Sequence, residues 1–366
     1  MHTQTHEQRF SEIDSVVSGL IDAVLESGVG VLYGMGDELK RVNIGKGEFC
    51  MNCDPCHNLM FSLPLLNDLI TGKMTVDQAK ENRLAWKYAI YADQAMKHLV
   101  DTSELRFNRV PTTTSCAIVY LDQNVFSVFT KDDEVKKTLR RLKSGGILQF
   151  VYSPSHLEEI NKILEESYRQ AFIEAISELT DDKCLQPSSN DQIDLFIENP
   201  ADVLARAAVS PEATDAVERI KTLKEESREL HFPEYNDESH RIALGQRTDV
   251  FDALTDEKFS HLMSHSASSR FQKDQFKNLL SHSDIRNAIY ALHNGLDLLS
   301  FKRETSERTR RSSVHDIEHL IYGSQSQVFV SNDAKLVARA RQIYPFLGIG
   351  VKVLSLDQFL ESGMDR

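Results

Sequence analysis

Short apolar runs that end in polar or acidic residues are the clearest pattern in this chain. Residues 117–121 (AIVYL) are apolar with β-branched residues at the centre, and Asp122 follows directly. Such a run predicts a strand buried on both faces. Similar runs predict three further parallel strands, at 148–152, 328–331 and 351–354. Helical patterns lie between the runs, so we expect an α/β fold with a parallel sheet.

The pattern changes twice along the chain and predicts three parts. Residues 1–112 form a separate N-terminal region that is mostly helical. Helices are expected there at 10–26, 63–71 and 76–100, and a hairpin at 28–44. Residues 163–312 are polar, helix-rich and poor in strand signals, and so long a segment cannot be a bare loop. We therefore expect 163–312 to be a helical insertion in a core built from 113–162 and 313–366.

Composition narrows the class of protein without naming a function. The chain has 366 residues, with 41% hydrophobic and 27% charged residues, as ordinary soluble proteins do. No apolar run approaches the length of a membrane span, and residues 1–12 lack a signal-peptide core. These features predict a cytoplasmic protein without a membrane partner. A net charge of −13 argues against a broad nucleic-acid-binding surface, although local basic patches remain compatible with it.

Four acids fall at corresponding places in the predicted α/β core. Asp122 and Asp333 each end a strand, Glu159 lies on the helix after the second strand, and Asp316 lies near the start of the helix before the third. Asp at a strand end is also an ordinary helix cap, and for one such residue alone the cap is the better interpretation. If the sheet is parallel, however, the four carboxylates meet at one edge. A Mg²⁺ or Mn²⁺ ion would then relieve their repulsion.

Several neighbours of these acids are candidates for supporting roles. Asn124, His319 and Asn332 lie close in sequence to three of the acids. His319 could orient a water, contact phosphate or cap a carboxylate, and functional and structural roles are evenly balanced. Glu158 and Glu318 could replace their neighbours as ligands. We prefer Glu159 because it follows Ser153 at a spacing of six residues.

Four segments together resemble the successive motifs of PIN-like domain nucleases. In that family a strand ends in Asp near an Asn, a Ser is followed six residues later by a Glu, a helix carries an Asp, and a strand ends in Thr/Ser-x-Asp. The corresponding segments here, in the same order, are 120–125 (YLDQNV), 153–160 with Ser153 and Glu159, 315–320 (HDIEHL) and 329–333 (FVSND). The resemblance covers 113–162 and 313–366, under a third of the chain.

This resemblance implies a Mg²⁺- or Mn²⁺-dependent nuclease, acting more often on RNA than on DNA. It implies a PIN-like α/β/α sandwich in which Asp122, Glu159, Asp316 and Asp333 hold the ions and an ion-bound water attacks the phosphodiester. The insertion between Glu159 and Asp316 is far longer than in the compact family pattern, so access of the substrate could differ.

Clusters of basic residues are candidate contacts for nucleic acid. Arg308, Arg310 and Arg311 directly precede the helix that carries Asp316, and guanidinium groups bind phosphates in a bidentate manner. We expect these three arginines to contact substrate. The basic residues at 136–143 are better interpreted as a solvent-exposed helix face.

The cysteines suggest a second, weaker metal site. Five cysteines do not predict a disulfide scaffold. Cys50, Cys53 and Cys56, with the adjacent His57, could close a Zn²⁺ site. A cysteine-containing turn is the favoured alternative, because Asp54 and Pro55 form a turn signal and His57 cannot easily face the same ion as Cys56.

Two other classes of function compete with the nuclease hypothesis. In the first, the fold is kept without catalysis, and the insertion binds a protein partner or a second copy of the chain. In the second, Asp122 is the nucleophile of a phosphatase. The phosphatase is the weaker hypothesis because position 124, two residues on, is Asn instead of an acid.

Overall fold

A computed structural model describes most of the chain. The described residues are 6–27, 31, 54–97, 108–161, 163–206, 226–266, 268–302 and 313–364. The strands are β1 Val110–Pro111, β2 Ala117–Leu121, β3 Leu148–Val151, β4 Lys183–Pro187, β5 Ile193–Ile197, β6 Val328–Ser331 and β7 Lys352–Ser355. The helices are α1 His6–Ser27, α2 Asp54–Ile70, α3 Val76–Lys97, α4 Gln123–Lys131, α5 Asp133–Ser144, α6 Pro154–Ile160, α7 Glu166–Thr180, α8 Pro200–Arg206, α9 Glu238–Gly245, α10 Val250–Ala253, α11 Asp256–His265, α12 His282–Leu298, α13 Ser313–Gly323, α14 Ala334–Leu347 and α15 Leu356–Met364.

The predicted α/β fold with a parallel four-stranded sheet is confirmed. The strand order is β3-β2-β6-β7, and every neighbouring pair is parallel. The register aligns Tyr120 of β2 with Val151 of β3 and with Phe329 of β6. The carboxyl ends of the two central strands, β2 and β6, are therefore adjacent, and ligands of open α/β sheets bind at this edge.

Both faces of this sheet are covered, as a strand without polar alternation requires. Tyr120 and Phe329 contribute to a hydrophobic cluster on one face, with residues of α12, α13 and α14. Val119, Leu121 and Val330 contribute to the cluster on the other face, with residues of α4, α6, α7 and α15. Successive residues of a strand point to opposite faces, so this division gives three layers compatible with an α/β/α sandwich.

The segment 163–312, which was expected to be helical, also contains two strands, β4 and β5. β4 and β5 pair antiparallel, and β5 also pairs with β1. The bridge between Tyr152 and Cys184 joins β4 to the end of β3. The sequence did not predict these two strands. β4 contains Lys, Gln and Pro, β5 contains an internal Asp, and β5 also pairs with the remote strand β1.

The helices of the same segment are built into the sheet unit. A buried arginine on α14, Arg339, donates hydrogen bonds to Asp297 (2.6 Å) and to the carbonyl of Phe301 (3.2 Å), and contacts His293 (2.8 Å). His293 and Asp297 lie on α12, which also contributes to the cluster over the sheet. α12, which begins at His282, thus packs against the α/β core.

The chain divides into two compact units. One comprises Met1–Leu99 with Pro211–Ser227, and the other Val100–Ser210 with Arg228–Arg366. In the first unit, α1, α2 and α3 confirm the helices expected at 10–26, 63–71 and 76–100, and residues of these helices form a hydrophobic cluster of their own. The hairpin expected at 28–44 lies, except for residue 31, outside the described residues. No helix within the described ranges is long and apolar enough to cross a membrane.

Candidate functional site

Asp122 is buried at the junction of β2 and α4. It is the N-cap of α4, and its Oδ1 accepts a hydrogen bond from the backbone N–H of Gln123 (2.7 Å). Its Oδ2 accepts from the hydroxyl of Ser331 (2.7 Å) and from the side-chain amide of Asn124 (3.1 Å). The cap interpretation of Asp122 is therefore correct, and the same hydrogen bonds hold the carboxylate in one orientation at the sheet edge.

His319 joins Asp122 to Glu159. This fully buried side chain has Nε2 at 2.9 Å from Oε1 of Glu159 and at 3.6 Å from Oδ1 of Asp122. Burial acts to lower the pKa of His319. The hydrogen bond to Glu159 and the charges of Asp122, Glu159 and Asp316 outweigh burial and raise this pKa to about 9. His319 is therefore a cation among carboxylates at neutral pH.

Asp316 lies in the same electrostatic environment as the other three acids. Burial raises its pKa well above the usual 3.8, and the charges of Asp122, Glu159 and Asp333 raise it further. Asp333 follows β6 and caps α14, because its Oδ1 accepts hydrogen bonds from the N–H groups of Lys335 (2.7 Å) and Leu336 (3.1 Å). Acids from three other elements thus lie close enough to Asp316 for their charges to raise its pKa.

Glu158 and Glu318, the alternative ligands, are bound elsewhere. Glu318 accepts hydrogen bonds from Tyr290 (2.6 Å) and Arg286 (3.2 Å), both on α12. Glu158 lies 3.7 Å from Nδ1 of His315. Each of these glutamates neighbours a site acid in sequence but projects from its helix toward other partners. The geometry therefore favours Glu159 and Asp316 over their neighbours.

A buried hydrogen-bonded chain behind His319 was missed by sequence reasoning. Nδ1 of His319 lies 2.7 Å from the hydroxyl of Tyr120, which lies 2.7 Å from the hydroxyl of Ser153. Nδ1 of His156 lies 3.2 Å from that hydroxyl and accepts from the backbone N–H of Ser153 (3.1 Å) in a capping box. Burial lowers the pKa of His156 well below its usual range, and the neighbouring His319 lowers it further.

One local signal could have indicated part of this chain. Ser153-Pro154 followed by His156 is a helix start in which His stands at the position that Glu or Gln takes in a capping box. No local signal joins Tyr120 to His319, because the two residues lie 199 positions apart.

Of the remaining candidates, the two asparagines lie beside the acids, and most of the arginines and cysteines lie outside the described ranges. Asn124 is exposed but contacts Asp122, and Asn332 is exposed between Ser331 and Asp333. Arg308, Arg310 and Arg311 fall within 303–312, and Cys50 and Cys53 within 32–53, both outside the described residues. Cys56 is fully buried on α2, with its Sγ at 3.3 Å from Nε2 of His6.

The donor set suits a hard divalent cation in its chemistry and charge. Four carboxylates could supply oxygen ligands, and burial together with the charges of the other three acids raises the pKa of Asp316. Among the described residues, however, no group of three or more His, Cys, Asp or Glu side chains is arranged to hold an ion. Nε2 of His319 lies between two of the carboxylates, so ligation would require side chains such as the partly exposed Glu159 to turn.

Comparisons of the chain with protein-family models, with curated proteins and with solved structures find no match.

Proposed function

We propose that this protein is a Mg²⁺- or Mn²⁺-dependent nuclease that hydrolyses phosphodiester bonds, with RNA favoured over DNA. The proposal rests above all on the grouping of the acids around His319 and Asp316. Nε2 of His319 lies 2.9 Å from Glu159 and 3.6 Å from Asp122. Burial raises the pKa of Asp316, and the charges of Asp122, Glu159 and Asp333, from three other elements, raise it further. The order of the four acids along the chain also resembles that of the PIN-like motifs.

The roles of the chain's own residues follow from their contacts. Asp122, Glu159, Asp316 and Asp333 would hold the ion, which when bound supplies an activated water and neutralises charge on the phosphate. The hydrogen bonds from Ser331 and Asn124 keep the carboxylate of Asp122 in place. His319, which carries a proton on Nε2, orients Glu159 and partly balances the charge of the acids.

Variants of three of the acids, with a matched control on α6, test the proposal. The full-length protein is mixed with Mn²⁺ and an end-labelled single-stranded RNA, and cleavage is followed on a gel. Asp122→Asn, Asp333→Asn and Glu159→Gln should each lower the cleavage rate by at least about 100-fold. This is the upper end of the loss expected when a residue that only supports a metal ligand is removed, and removal of a ligand itself should cost at least as much.

The matched control is Glu158→Gln, which removes the same charge one position away. It should cleave at the wild-type rate, because Glu158 faces His315. Cleavage that survives Asp122→Asn and Asp333→Asn, or that Glu158→Gln abolishes equally, would refute the assignment.

A binding module without catalysis is the second candidate. The placement of His319 between Glu159 and Asp122 favours it, because an imidazolium can balance those carboxylates in place of an ion. This candidate predicts that Mn²⁺ leaves the melting temperature unchanged and that the protein purifies with a stable partner or as an oligomer. A Mn²⁺-dependent rise in the melting temperature that Asp122→Asn removes would exclude it.

A further inference from the structure

Within the described residues, Nδ1 of His319 makes its polar contact with the layer behind it through the hydroxyl of Tyr120. Tyr120 is fully buried on β2, and its hydroxyl lies 2.7 Å from Nδ1 of His319. The opposite ring nitrogen, Nε2, faces Glu159 and Asp122. A flat ring held at both nitrogens cannot rotate without breaking a buried hydrogen bond and leaving its partner unpaired, which is unfavourable.

Donor and acceptor chemistry fixes the bonds at the inner end of this chain. The carbonyl of Leu121 can only accept, so Nε2 of His156 donates to it (2.7 Å), and Nδ1 of His156 accepts from the backbone N–H of Ser153. The hydroxyls of Ser153 and Tyr120 share a hydrogen bond in which either oxygen can donate. The hydroxyl of Tyr120 can likewise donate or accept, so it pairs with Nδ1 of His319 in either direction.

The outer end of the chain is fixed in the same way. A carboxylate oxygen accepts only, so Nε2 of His319 donates to Glu159. Both ring nitrogens of His319 are therefore held, Nε2 by Glu159 on the outer side and Nδ1 by Tyr120 on the inner side, and the ring between them is fully buried.

We propose that Tyr120 is a positioning residue, which acts through His319 to hold the carboxylates of Glu159 and Asp122 in their working arrangement. Its own hydroxyl is held in turn by Ser153 and His156. Tyr120 is not a catalytic residue, because it contacts His319 from the side opposite the acids. The orientation of His319 stands on the hydrogen bonds alone, and only its consequence for catalysis rests on the proposed function.

Tyr120→Phe tests this proposal with the least steric change. The experiment uses full-length protein with ¹⁵N-labelled histidine and no added metal, and a two-bond ¹H–¹⁵N NMR correlation reports on the ring nitrogens. The signals of His319 are assigned by their loss in His319→Gln. In Tyr120→Phe the Nδ1 nitrogen signal of His319 should shift, because Nδ1 loses its hydrogen-bond partner, and the Nε2 signal should move with it.

The control is Tyr344→Phe on α14. Tyr344 is also fully buried, and its hydroxyl donates to the carbonyl of Leu320 (2.7 Å), next in sequence to His319. Tyr344→Phe should leave the ring signals of His319 unchanged. If Tyr120→Phe leaves them unchanged, or if Tyr344→Phe alters them to the same extent, the proposal is wrong.

Two further measurements keep the outcome decisive. Should Tyr120→Phe fail to fold, Ser153→Ala removes the next link and should shift the same Nδ1 signal, and an unshifted signal overturns the proposal. If the wild type cleaves RNA, Tyr120→Phe should lower kcat by about 10- to 100-fold with KM little changed. If the wild type cleaves no RNA but the NMR signals respond as expected, positioning by Tyr120 stands and only the proposed function fails.

Discussion

At the scale of single residues, the same side chain often serves structure and site together. Asp122 and Asp333 are helix caps, as any Asp at a strand end suggests, and both contribute to the field around Asp316. Sequence could predict their positions because each directly follows a short apolar run. It could not predict that Glu158 and Glu318 face away, because this depends on Arg286, Tyr290 and His315, which approach only in the folded chain.

Asp316 provides a prediction about stability. Its folded-state pKa lies above the usual 3.8 through burial and three neighbouring acids, so its ionised form is unfavourable in the folded protein. The stability that the protonated carboxyl group contributes is fully present below the usual pKa of an Asp. It is lost as the pH rises through the raised pKa of the folded protein. In the presence of a chelator, Asp316→Asn should therefore melt higher than the wild type at neutral pH, by about 2–4 °C per 1 kcal/mol relieved.

The pH dependence separates this effect from a general one. The advantage of Asp316→Asn should shrink as the pH is lowered toward 4, and differential scanning calorimetry across this range measures it. Glu257→Gln, which removes an exposed acid on α11, is the control and should give no such trend. An Asp316→Asn protein that melts below the wild type at neutral pH would contradict the expected repulsion.

At the scale of elements, prediction succeeded where the pattern is local. β2 and β6 are continuous apolar runs, so composition alone marks them as buried strands. β4 and β5 are stabilised by pairing with each other, and β5 also pairs with β1, which lies far earlier in the chain. The sequence assigned α12 to an insertion, because the contact between α12 and Arg339 forms only in the folded chain.

Arg339 should therefore be essential to the packing of α12 on α14. Its side chain is 7% exposed, and that of Asp297 is 30% exposed. Arg339→Met would leave Asp297 partly buried without this partner, at a cost of about 3 kcal/mol in the free energy of unfolding, the lower end for a broken buried pair. Urea denaturation measures the change.

Arg341 supplies the control on the same helix. It is exposed and bonds the carbonyl of Val353 and the side chain of Gln358, so Arg341→Met should cost about 1 kcal/mol or less. Equal losses in the two variants would show that Arg339 contributes no more than a surface residue.

At the scale of the whole molecule, charge limits how nucleic acid could bind. The net charge of −13 opposes a phosphate backbone over most of the surface, so binding must depend on a local basic segment. On α5, Arg140 pairs with Glu178 and Lys143 with Asp181 (2.6 Å), which supports the interpretation of that group as a surface helix face. Arg308, Arg310 and Arg311 remain the better candidates, on sequence position alone.

Two variants that each remove three positive charges distinguish these basic groups. Replacing Arg308, Arg310 and Arg311 by Gln should weaken binding of single-stranded RNA and reduce the slope of log K against log salt by about 2, as expected for three lost phosphate contacts. Replacing Lys136, Arg140 and Lys143 by Gln changes the net charge equally but should leave that slope unchanged. Binding is measured by fluorescence anisotropy at several salt concentrations, with Ca²⁺ in place of Mn²⁺ to prevent cleavage. If both variants weaken binding alike, the affinity follows net charge instead of a defined contact at Arg308, Arg310 and Arg311.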